Sequence, residues 1–494
     1  MKLERSSGIL LPIAALPSPY GIGSLGKAAY DWIDFLSAAG QRWWQILPIG
    51  PTGAGDSPYQ SYSTFAGNPL LVDLDLLAED GLLTAAELDG EDWSGSARAA
   101  DYERVRVHRD RLLRLAARRG AVRDVAALAE FRTAQAGWLP SYALYMAART
   151  SFGELPWTEW PDTDLRLHRS EAVARWTEKL RDEVEYHEYV QFLFFRQWEK
   201  LRHYAKEKGI GILGDIPIYV PLDSADVWAE PRWFQLDEDN LPTAVAGCPP
   251  DYFSEDGQLW GNPLYDWDAM EKDGYGWWIR RIDCCAHRFD ALRIDHFRGF
   301  ESYWAIPRAA KSAKEGRWVK GPGMDLVGRL TGWFYDLQFI AEDLGLLTPE
   351  VLALLEASGL PGMKVLEFAF SPDGDSLYLP HRYEKNCICY TGTHDNAPLM
   401  AWRQEADAAE LRFAEKYLGL NEREGFSQGI LRGGMASAAV LFMAQMQDYL
   451  ALGAESRTNV PGTPTGNWRW RLLPGEASAA LAEEIAELTH RYGR

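Results

Sequence analysis

The sequence predicts an α/β protein built on a (β/α)8 TIM barrel, with large, mainly helical and loop-like insertions between the barrel strands. Three observations predict this fold class. The chain has 494 residues, of which 47% are apolar, so it can bury a large core, and disorder is excluded as its main state. Short apolar runs of the length of buried strands recur along the chain. Helical patterns lie between many of them, which is the alternation that a parallel barrel requires.

Eight apolar runs that end in polar or Gly/Pro clusters are the candidate barrel strands. A run of about four to eight residues that is apolar throughout predicts a strand buried on both faces. The first run resembles a signal peptide, but Pro12 interrupts it and Glu4 lies in its charged start, so a buried strand is favoured. The last run has the weakest pattern. The eight runs are 8–16, 43–49, 211–219, 291–296, 339–343, 363–370, 387–391 and 456–461.

Helices are predicted between these runs. The segment 27–39 places Trp32 and Phe35 on one apolar face. The segment 184–208 has aromatic residues near helical spacing, and Gly209 ends it. Thr348 is a candidate N-cap for a helix that starts at Pro349.

Two long gaps between the runs are the predicted insertions. A bare barrel needs about 250 residues, so roughly half of this chain must be insertion. Residues 75–183 are predicted to form a largely helical subdomain. Residues 221–285 are rich in Pro, Gly, Asp and Trp and are predicted to form loops that cover the active-site cleft. Because no internal repeat or flexible linker is found, we expect residues 1–494 to form a single catalytic barrel without a separate C-terminal β-sandwich.

Charge excludes two classes of partner. The chain has 51 basic and 71 acidic residues, a formal net charge of −20. A phosphate backbone or an anionic membrane attracts a basic surface, so neither nucleic acid nor a membrane is expected as the principal partner. The longest later uncharged run, 433–447, is shorter than the roughly 20 residues of a membrane helix.

The cysteine pattern indicates the compartment and excludes a metal site. The five cysteines contain no C-x-x-C pair and no zinc-ligand spacing. Such a sparse, odd set is typical of a reducing, cytoplasmic protein. No G-x-G-x-x-G follows a strand and no Walker loop is present, so we expect neither a cofactor nor a metal. The sequence does not predict the oligomeric state.

The aromatic content has two interpretations. The chain has 21 Trp, 22 Tyr and 19 Phe, more than a charged protein usually contains. Flat aromatic faces can bind flat ligand faces such as sugar rings. They can equally fill a large core.

Acidic residues lie at the predicted carboxyl ends of four strands, where barrel chemistry takes place. They are Asp215, Asp295, Glu342 and Asp395, and Arg293 lies two residues before Asp295 on the same side of its strand. Carboxylates that converge at one barrel mouth repel one another, so at least one should hold its proton near neutral pH. Because Arg293 favours the ionised form of Asp295, this acid suits a nucleophile. Glu342 follows apolar residues and suits the general acid of glycoside chemistry.

Several longer motifs resemble one enzyme family nearly end to end. The matching stretches are WWQILPIGPTGAGDSPYQSYSTFAGNPLL (43–71), GDIPIYVPLDSADVW (214–228), PPDYFSEDGQLWGNPLYDW (249–267), RIDHFRGFESYWAIP (293–307), AEDLG (341–345), PGMKVLEFAF (361–370), YTGTHDN (390–396) and RTNVPGTPTGNWRWR (457–471). On these stretches the chain is similar to the 4-α-glucanotransferases of the amylomaltase (disproportionating enzyme) type, glycoside hydrolase family 77 within the α-amylase clan. The stretches at 293–299, 341–345 and 393–396 are shared loosely by the whole clan, and those at 57–69 and 249–263 are more particular to the family.

The resemblance implies catalytic roles residue by residue. Asp295 would be the nucleophile, Glu342 the acid and then the base, and Asp395 the stabiliser of the −1 sugar. Arg293 would hold Asp295, and His394 would bond the −1 sugar.

Further residues are implied in substrate binding. His296 would face away from the cleft on a regular strand, so its implied place near the acceptor requires a local twist of the backbone. The resemblance also implies a mobile loop over the cleft, with Trp260 as a candidate for stacking on sugar. The other implied substrate-binding residues are Tyr59, Asp215, Tyr252, Phe253, Gln258 and Asn467.

The resemblance implies transfer of a 1,4-α-glucan segment to the 4-hydroxyl of an acceptor glucan or glucose. The reaction would be a retaining double displacement through a covalent glucosyl-enzyme intermediate, with maltooligosaccharides and amylose as donors and acceptors. Two alternatives stay open. One is an α-amylase-like retaining hydrolase of α-1,4-glucans, and the other is a non-catalytic glucan-binding protein.

Overall fold

The structure is a computed structural model that describes residues 3–250, 255–345 and 347–494. Within these ranges, helices lie between most of the barrel strands, and the longest group of helices lies between the second and third strands. The strands are β1 (Ser6–Leu10), β2 (Trp43–Gln45), β3 (Gly211–Ile216), β4 (Ala244–Cys248), β5 (Gln258–Pro263), β6 (Ala291–Ile294), β7 (Ser302–Pro307), β8 (Arg317–Lys320), β9 (Gln338–Ala341), β10 (Gly362–Val365), β11 (Cys387–Tyr390) and β12 (Leu441–Gln445).

The α-helices lie between and after these strands. They are α1 (Lys27–Ala38), α2 (Leu74–Glu79), α3 (Ala85–Asp89), α4 (Tyr102–Arg123), α5 (Val125–Ala134), α6 (Leu139–Ser151), α7 (Thr163–Arg166), α8 (Ser170–Lys179), α9 (Arg181–Glu207), α10 (Ala225–Ala229), α11 (Trp267–Lys272), α12 (Gly276–Arg288), α13 (Met324–Trp333), α14 (Pro349–Ser358), α15 (Leu399–Glu405), α16 (Ala408–Leu418), α17 (Phe426–Ala436), α18 (Met446–Tyr449) and α19 (Ala479–Arg491). Thr348 caps α14 through its side chain, and Pro349 is the first residue of this helix, as the sequence predicts.

Eight parallel strands form the predicted barrel. Their order is β10-β11-β12-β1-β2-β3-β6-β9, and each neighbouring pair is parallel. The barrel closes between β9 and β10, where the amide N–H of Ala341 in β9 donates a 3.0 Å hydrogen bond to the carbonyl oxygen of Pro361, next to β10. All carboxyl ends therefore open on one face of the barrel, which is where barrel enzymes place their chemistry.

Side chains alternate between the barrel interior and the surrounding helices. Leu10, Trp43 and Leu213 belong to a small buried cluster built from the barrel strands, while their neighbours Trp44 and Ile212 belong to the large cluster that includes the helices. This period of two is the pleat of a strand buried on both faces. The barrel is therefore filled by side chains and is not a pore.

The eighth strand differs from the prediction. Seven of the eight apolar runs overlap a barrel strand, but residues 456–461 form none, and the eighth strand is β12. The uncharged run 433–447 is longer than one strand because it contains the end of α17, a break at Ser437 and then β12. The lack of charge conceals the boundary between the two elements.

The two predicted insertions differ, because the first is helical and the second contains more regular structure than its composition suggests. Residues 75–183 hold most of a group of helices that packs around α9, with α4, α5, α6 and α8 all in contact with it. The segment 221–285 contains β4 and β5, which join β7 and β8 in an antiparallel sheet of order β5-β4-β7-β8. Its loop-like composition conceals these strands because they are short and contain Gly and Pro. Among the described residues, no helix has the length and apolar character that crossing a membrane requires.

Candidate active site

A cleft of about 660 Å³ opens at the carboxyl ends of the barrel strands. Asp295 follows β6, Glu342 follows β9 and Asp395 follows β11, so the fold brings the three predicted acids to one place. The cleft is lined by most of the predicted site residues, namely Tyr59, Gln258, Trp260, Arg293, Asp295, His296, Glu342, His394 and Asp395. Asn459 and Trp468 also line it, although the sequence did not single them out for this site.

Arg293 lies between two carboxylates. It is 3% exposed, and its register partner on β3 is Asp215. One guanidinium nitrogen donates to both carboxylate oxygens of Asp215 at 2.9 and 2.8 Å, and the other lies 2.9 Å from Oδ1 of Asp295. Burial opposes the charge of Arg293, but Asp215 and Asp295 raise its pKa well above the usual value. The guanidinium therefore stays charged and can hold Asp295 as a carboxylate.

Asp295 and Glu342 are electrostatically coupled. Burial raises the pKa of Asp295, with Arg293 acting against this shift. Burial also raises the pKa of Glu342, where Arg293 again opposes the shift and the charge of Asp295 adds to it. Because Asp295 is the acid that pairs directly with Arg293, it is the one favoured as a carboxylate, while Glu342 holds its proton. The sequence predicts Asp295 as the nucleophile and Glu342 as the general acid, and both roles stay predictions.

The backbone at His296 fixes the orientation of Glu342. The strand β6 ends at Ile294, and His296 has left-handed dihedral angles, φ 52° and ψ 47°, which are uncommon for a non-glycine residue. This is the local twist that its predicted position requires. It directs the His296 N–H to Oε2 of Glu342 at 2.8 Å, while the N–H of Leu344 donates to Oε1 at 2.7 Å.

His296 also contacts the aromatic wall of the cleft. Its ring is edge-on to the ring of Trp260, with centroids 4.8 Å apart. Burial lowers the pKa of His296 to about 3, so its imidazole is neutral. A neutral imidazole can both donate and accept a hydrogen bond, which suits the recognition of a hydroxyl group.

Asp395 lies in the loop after β11 and is held by Arg457 and Asn459 of a segment distant in sequence. Its Oδ1 accepts a 2.6 Å hydrogen bond from the side chain of Asn459 and lies 3.4 Å from Nε2 of His394. Its backbone carbonyl accepts a 3.0 Å bond from Arg457. The motif 457–471 was the only sequence signal for Arg457 and Asn459, and it did not indicate their contacts.

Tyr59 connects two sides of the site. Its ring stacks on His394 with centroids 5.0 Å apart, and its hydroxyl donates a 2.8 Å hydrogen bond to Oδ2 of Asp215. The ring of Trp468 lies 5.8 Å from the rings of both Tyr59 and His394. These contacts make Asp215 a partner of Tyr59 and Arg293 behind the cleft.

Of the other residues predicted to bind substrate, some line the cleft and one lies away from it. Gln258 and Trp260 belong to β5, and the indole N–H of Trp260 donates to Oε1 of Gln258 at 3.0 Å. Tyr252 and Phe253 lie outside the described residues. Asn467 does not line the cleft. Its side chain accepts from the N–H of Val460 and donates to the carbonyl of Thr463, both at 3.0 Å, so it shapes the loop that carries Asn459.

Comparison with known proteins identifies the family. The model of the family described as 4-alpha-glucanotransferase, glycoside hydrolase family 77, matches residues 11–476. This chain belongs to the 4-alpha-glucanotransferase family. The match spans β2 to β12, both insertions and the three acids at the mouth of the cleft.

Individual members of the family match along the full chain. The 4-alpha-glucanotransferase of Thermus thermophilus is 47% identical and covers 99% of this chain and 100% of its own. That of Streptococcus pneumoniae serotype 4 is 46% identical, with 99% and 98% covered. The structure is similar to that of amylomaltase from Streptococcus agalactiae in complex with acarbose, with a TM-score of 0.97 and 38% identity over 99% of this chain and 100% of that one. These matches confirm the predicted family, the barrel fold and the 4-alpha-glucanotransferase activity, and they favour neither alternative.

Proposed function

We propose that this 4-alpha-glucanotransferase moves a segment of a 1,4-α-glucan from a donor chain to the 4-hydroxyl of an acceptor glucan or glucose. The observation that supports this best is the pairing of Asp295 with Arg293 beside the buried Glu342. A nucleophile that is held ionised and an acid that is held protonated are what a retaining double displacement requires. The acarbose complex of the similar amylomaltase supports a saccharide as the ligand of this cleft.

The first displacement forms an ester on Asp295. The carboxylate of Asp295 attacks C1 of the −1 sugar, while the carboxylic acid of Glu342 gives its proton to the glycosidic oxygen. The bond between C1 and this oxygen breaks, and the fragment on the reducing side leaves. Asp395 and His394 bind hydroxyls of the −1 sugar, and the negative charge of Asp395 stabilises the oxocarbenium-like transition state.

The second displacement transfers the glucan. Glu342, now a carboxylate, takes the proton of the acceptor 4-hydroxyl, and this oxygen attacks C1. The ester bond breaks, Asp295 returns to its carboxylate form, and the anomeric configuration is retained. The N–H groups of His296 and Leu344 hold Glu342 in one orientation through both steps.

Transfer competes with hydrolysis at the ester. Water is present at tens of molar, so an acceptor sugar wins only if it is positioned and water is excluded. Trp260, with the neutral His296 against its ring, is proposed as the platform for the acceptor, with Gln258 beside it. Tyr59 lines the opposite side of the cleft, and Asp215 behind it holds the Tyr59 hydroxyl. Tyr252 and Phe253 are also proposed as substrate-binding residues.

Incubation of the protein with pure maltotriose tests this function. A series of longer maltodextrins together with glucose is expected, because each transfer lengthens one chain and shortens another. Release of maltose and glucose without longer products would contradict transfer and support the hydrolase alternative. Binding of maltotriose without any turnover would support the non-catalytic alternative.

We further propose that residues 1–494 form one domain, with 75–183 and 221–285 as elaborations of the barrel. One continuous buried cluster includes Tyr142 of the first insertion, Trp277 of the second and Phe442 of the barrel, which supports this view. A single cooperative calorimetric transition is expected. Two separated transitions would contradict it.

A cytoplasmic location stays a prediction from the cysteine content. Cell fractionation with an antibody against the native protein tests it. The expected lack of a nucleic-acid or membrane partner also stays a prediction.

A further inference from the structure

Asp448 is a buried acid to which the proposed mechanism assigns no role. It belongs to α18, directly after the barrel strand β12, and it is 1% exposed. A buried carboxylate is costly unless hydrogen bonds compensate for its lost hydration. The partners of Asp448 therefore indicate why the fold keeps an acid at this position.

Both carboxylate oxygens of Asp448 bind one loop, at its two ends. We call residues 391–399 the β11–α15 loop. The hydroxyl of Thr391, its first residue, donates a 2.5 Å hydrogen bond to Oδ2. The backbone N–H of Leu399, its last residue, donates a 2.8 Å bond to Oδ1. One side chain thus connects the residue that leaves β11 with the residue that begins α15.

The β11–α15 loop contains His394 and Asp395. Within it, Oδ1 of Asn396 accepts from the N–H and the hydroxyl of Thr393, both at 2.9 Å. The N–H of Asp395 donates to the hydroxyl oxygen of Thr393 at 3.2 Å. These internal bonds set the shape of the loop, but they do not attach it to the barrel.

Asp448 is itself attached to the barrel framework. Its backbone carbonyl accepts a 2.6 Å hydrogen bond from the hydroxyl of Ser427 on α17. On the opposite side of the loop, the N–H of Glu367, which follows β10, donates to the carbonyl of Thr391 at 3.3 Å. The N–H of Thr391 also donates to the carbonyl of Met443 in β12 at 3.2 Å. The first end of the loop is therefore held by residues of the two strands that flank β11, and Asp448 connects this end with Leu399.

We propose that Asp448 is a positioning residue for the transfer reaction, which fixes both ends of the β11–α15 loop so that Asp395 and His394 meet the −1 sugar in the transition state. This inference rests on the proposed function, because it assigns the loop its part in that reaction. Asp448 itself does not line the cleft and acts only through the loop.

The chemistry of Asp448 suits this role. Two donors approach from different directions, and a carboxylate can accept from both at the same time. Burial raises the pKa of Asp448 to about 6, while hydrogen bonds from the backbone of Leu399, the side chain of Thr391 and the backbone of Gln445 act against this shift. An asparagine could keep both contacts, because its oxygen can accept from Leu399 while its amide donates to the hydroxyl oxygen of Thr391. An alanine could keep neither.

Three variants test the role. Asp448→Ala is expected to lower kcat on maltotriose by about 10- to 100-fold, the range that a small misplacement of catalytic groups can cost, with KM changed less than threefold. Thr391→Val removes one of the two bonds without changing size, and we expect a smaller loss of about three- to tenfold. Asp448→Asn should retain kcat within threefold of the native protein.

Hydrogen–deuterium exchange of the peptide that covers 391–399 provides a readout that does not need activity. Exchange should be faster in Asp448→Ala and Thr391→Val and unchanged in Asp448→Asn. Thr489→Val is the matched control, because it removes another buried threonine hydroxyl on α19, and it should change neither kcat nor the exchange of this peptide. If Asp448→Ala does not fold, Thr391→Val tests the same contact.

Two results would overturn the proposal. The first is that Asp448→Ala or Thr391→Val folds and keeps the kcat of the native protein, or keeps the hydrogen–deuterium exchange of the 391–399 peptide. The other is an Asp448→Asn variant as impaired as Asp448→Ala, which would show that the charge matters and not the two hydrogen bonds. Failure of the native protein to lengthen maltotriose would reject the proposed function instead, and the exchange measurements would still decide the role of Asp448.

Discussion

The side-chain amide of Asn459 donates a 2.6 Å hydrogen bond to the carboxylate of Asp395. The two residues belong to different loops of the cleft, and the contact directs one oxygen of Asp395 before substrate arrives. We expect Asn459→Ala to lower kcat/KM for maltotriose about tenfold or more, because a hydrogen bond to a charged group contributes roughly 1.5–3 kcal/mol. Asn421→Ala, which changes an asparagine outside the cleft, is the control. Equal kcat/KM in the two variants would show that the contact is dispensable.

Asp295→Asn is expected to abolish activity while the fold is kept. The amide cannot form the glucosyl ester, so kcat should fall by about 10⁴-fold or more. Circular dichroism checks the fold, and product analysis on maltotriose measures the activity. Asp283→Asn, an exposed position on α12, should behave as the native protein does. Substantial turnover by the Asp295 variant would mean that another group is the nucleophile.

The pH dependence of kcat/KM should be bell-shaped. Asp295 reacts as a carboxylate, so activity falls as the pH drops below its pKa, which burial raises. Glu342 reacts as an acid, so activity falls as the pH rises above its pKa, which burial also raises. Both limbs should therefore lie at higher pH than for ordinary carboxylates.

The alkaline limb can be assigned with a second substrate. With α-glucosyl fluoride, whose leaving group needs little protonation, Glu342→Gln should lose the alkaline limb of the first step and keep the acidic one. Glu350→Gln, on the outer helix α14, should keep both limbs. An alkaline limb that persists unchanged in Glu342→Gln would assign it to a different residue.

Trp260→Ala should increase the share of hydrolysis. Loss of the proposed acceptor platform weakens acceptor binding at the ester and admits water, so the ratio of transfer to hydrolysis should fall roughly three- to tenfold. Release of reducing ends from maltotriose, compared with formation of longer maltodextrins, measures this ratio. Trp333→Ala is the control, because Trp333 is 68% exposed and does not line the cleft. An unchanged ratio would remove Trp260 from the acceptor site.

The sequence predicts the barrel and its acids because both depend on local patterns. A strand buried on both faces has an unbroken apolar run, and an acid directly after such a run is placed at the carboxyl end of the barrel. Asp295 and Glu342 follow this rule. The twist at His296 could be anticipated because the family resemblance places its side chain near the acceptor, whereas a regular strand would direct it away from the cleft.

Contacts between distant loops could not be predicted in this way. Asn459 and Asn467 belong to one motif, and only the three-dimensional path of the loop directs Asn459 to Asp395 and Asn467 to the backbone of Val460. Strand β12 was missed because it shares an uncharged run with the end of α17. The short antiparallel sheet was missed because its pairing joins residues on both sides of β6.

The order of strands has a consequence for synthesis on the ribosome. Strand β12 pairs with β1 on one side and with β11 on the other. During synthesis, the first barrel strand therefore lacks one of its two partners until the last barrel strand is made. Until Leu441–Gln445 emerges, β1 and β11 each present an unpaired edge, and such edges favour aggregation. A nascent chain stalled before this strand should therefore need a chaperone, although seven of its eight barrel strands are already made.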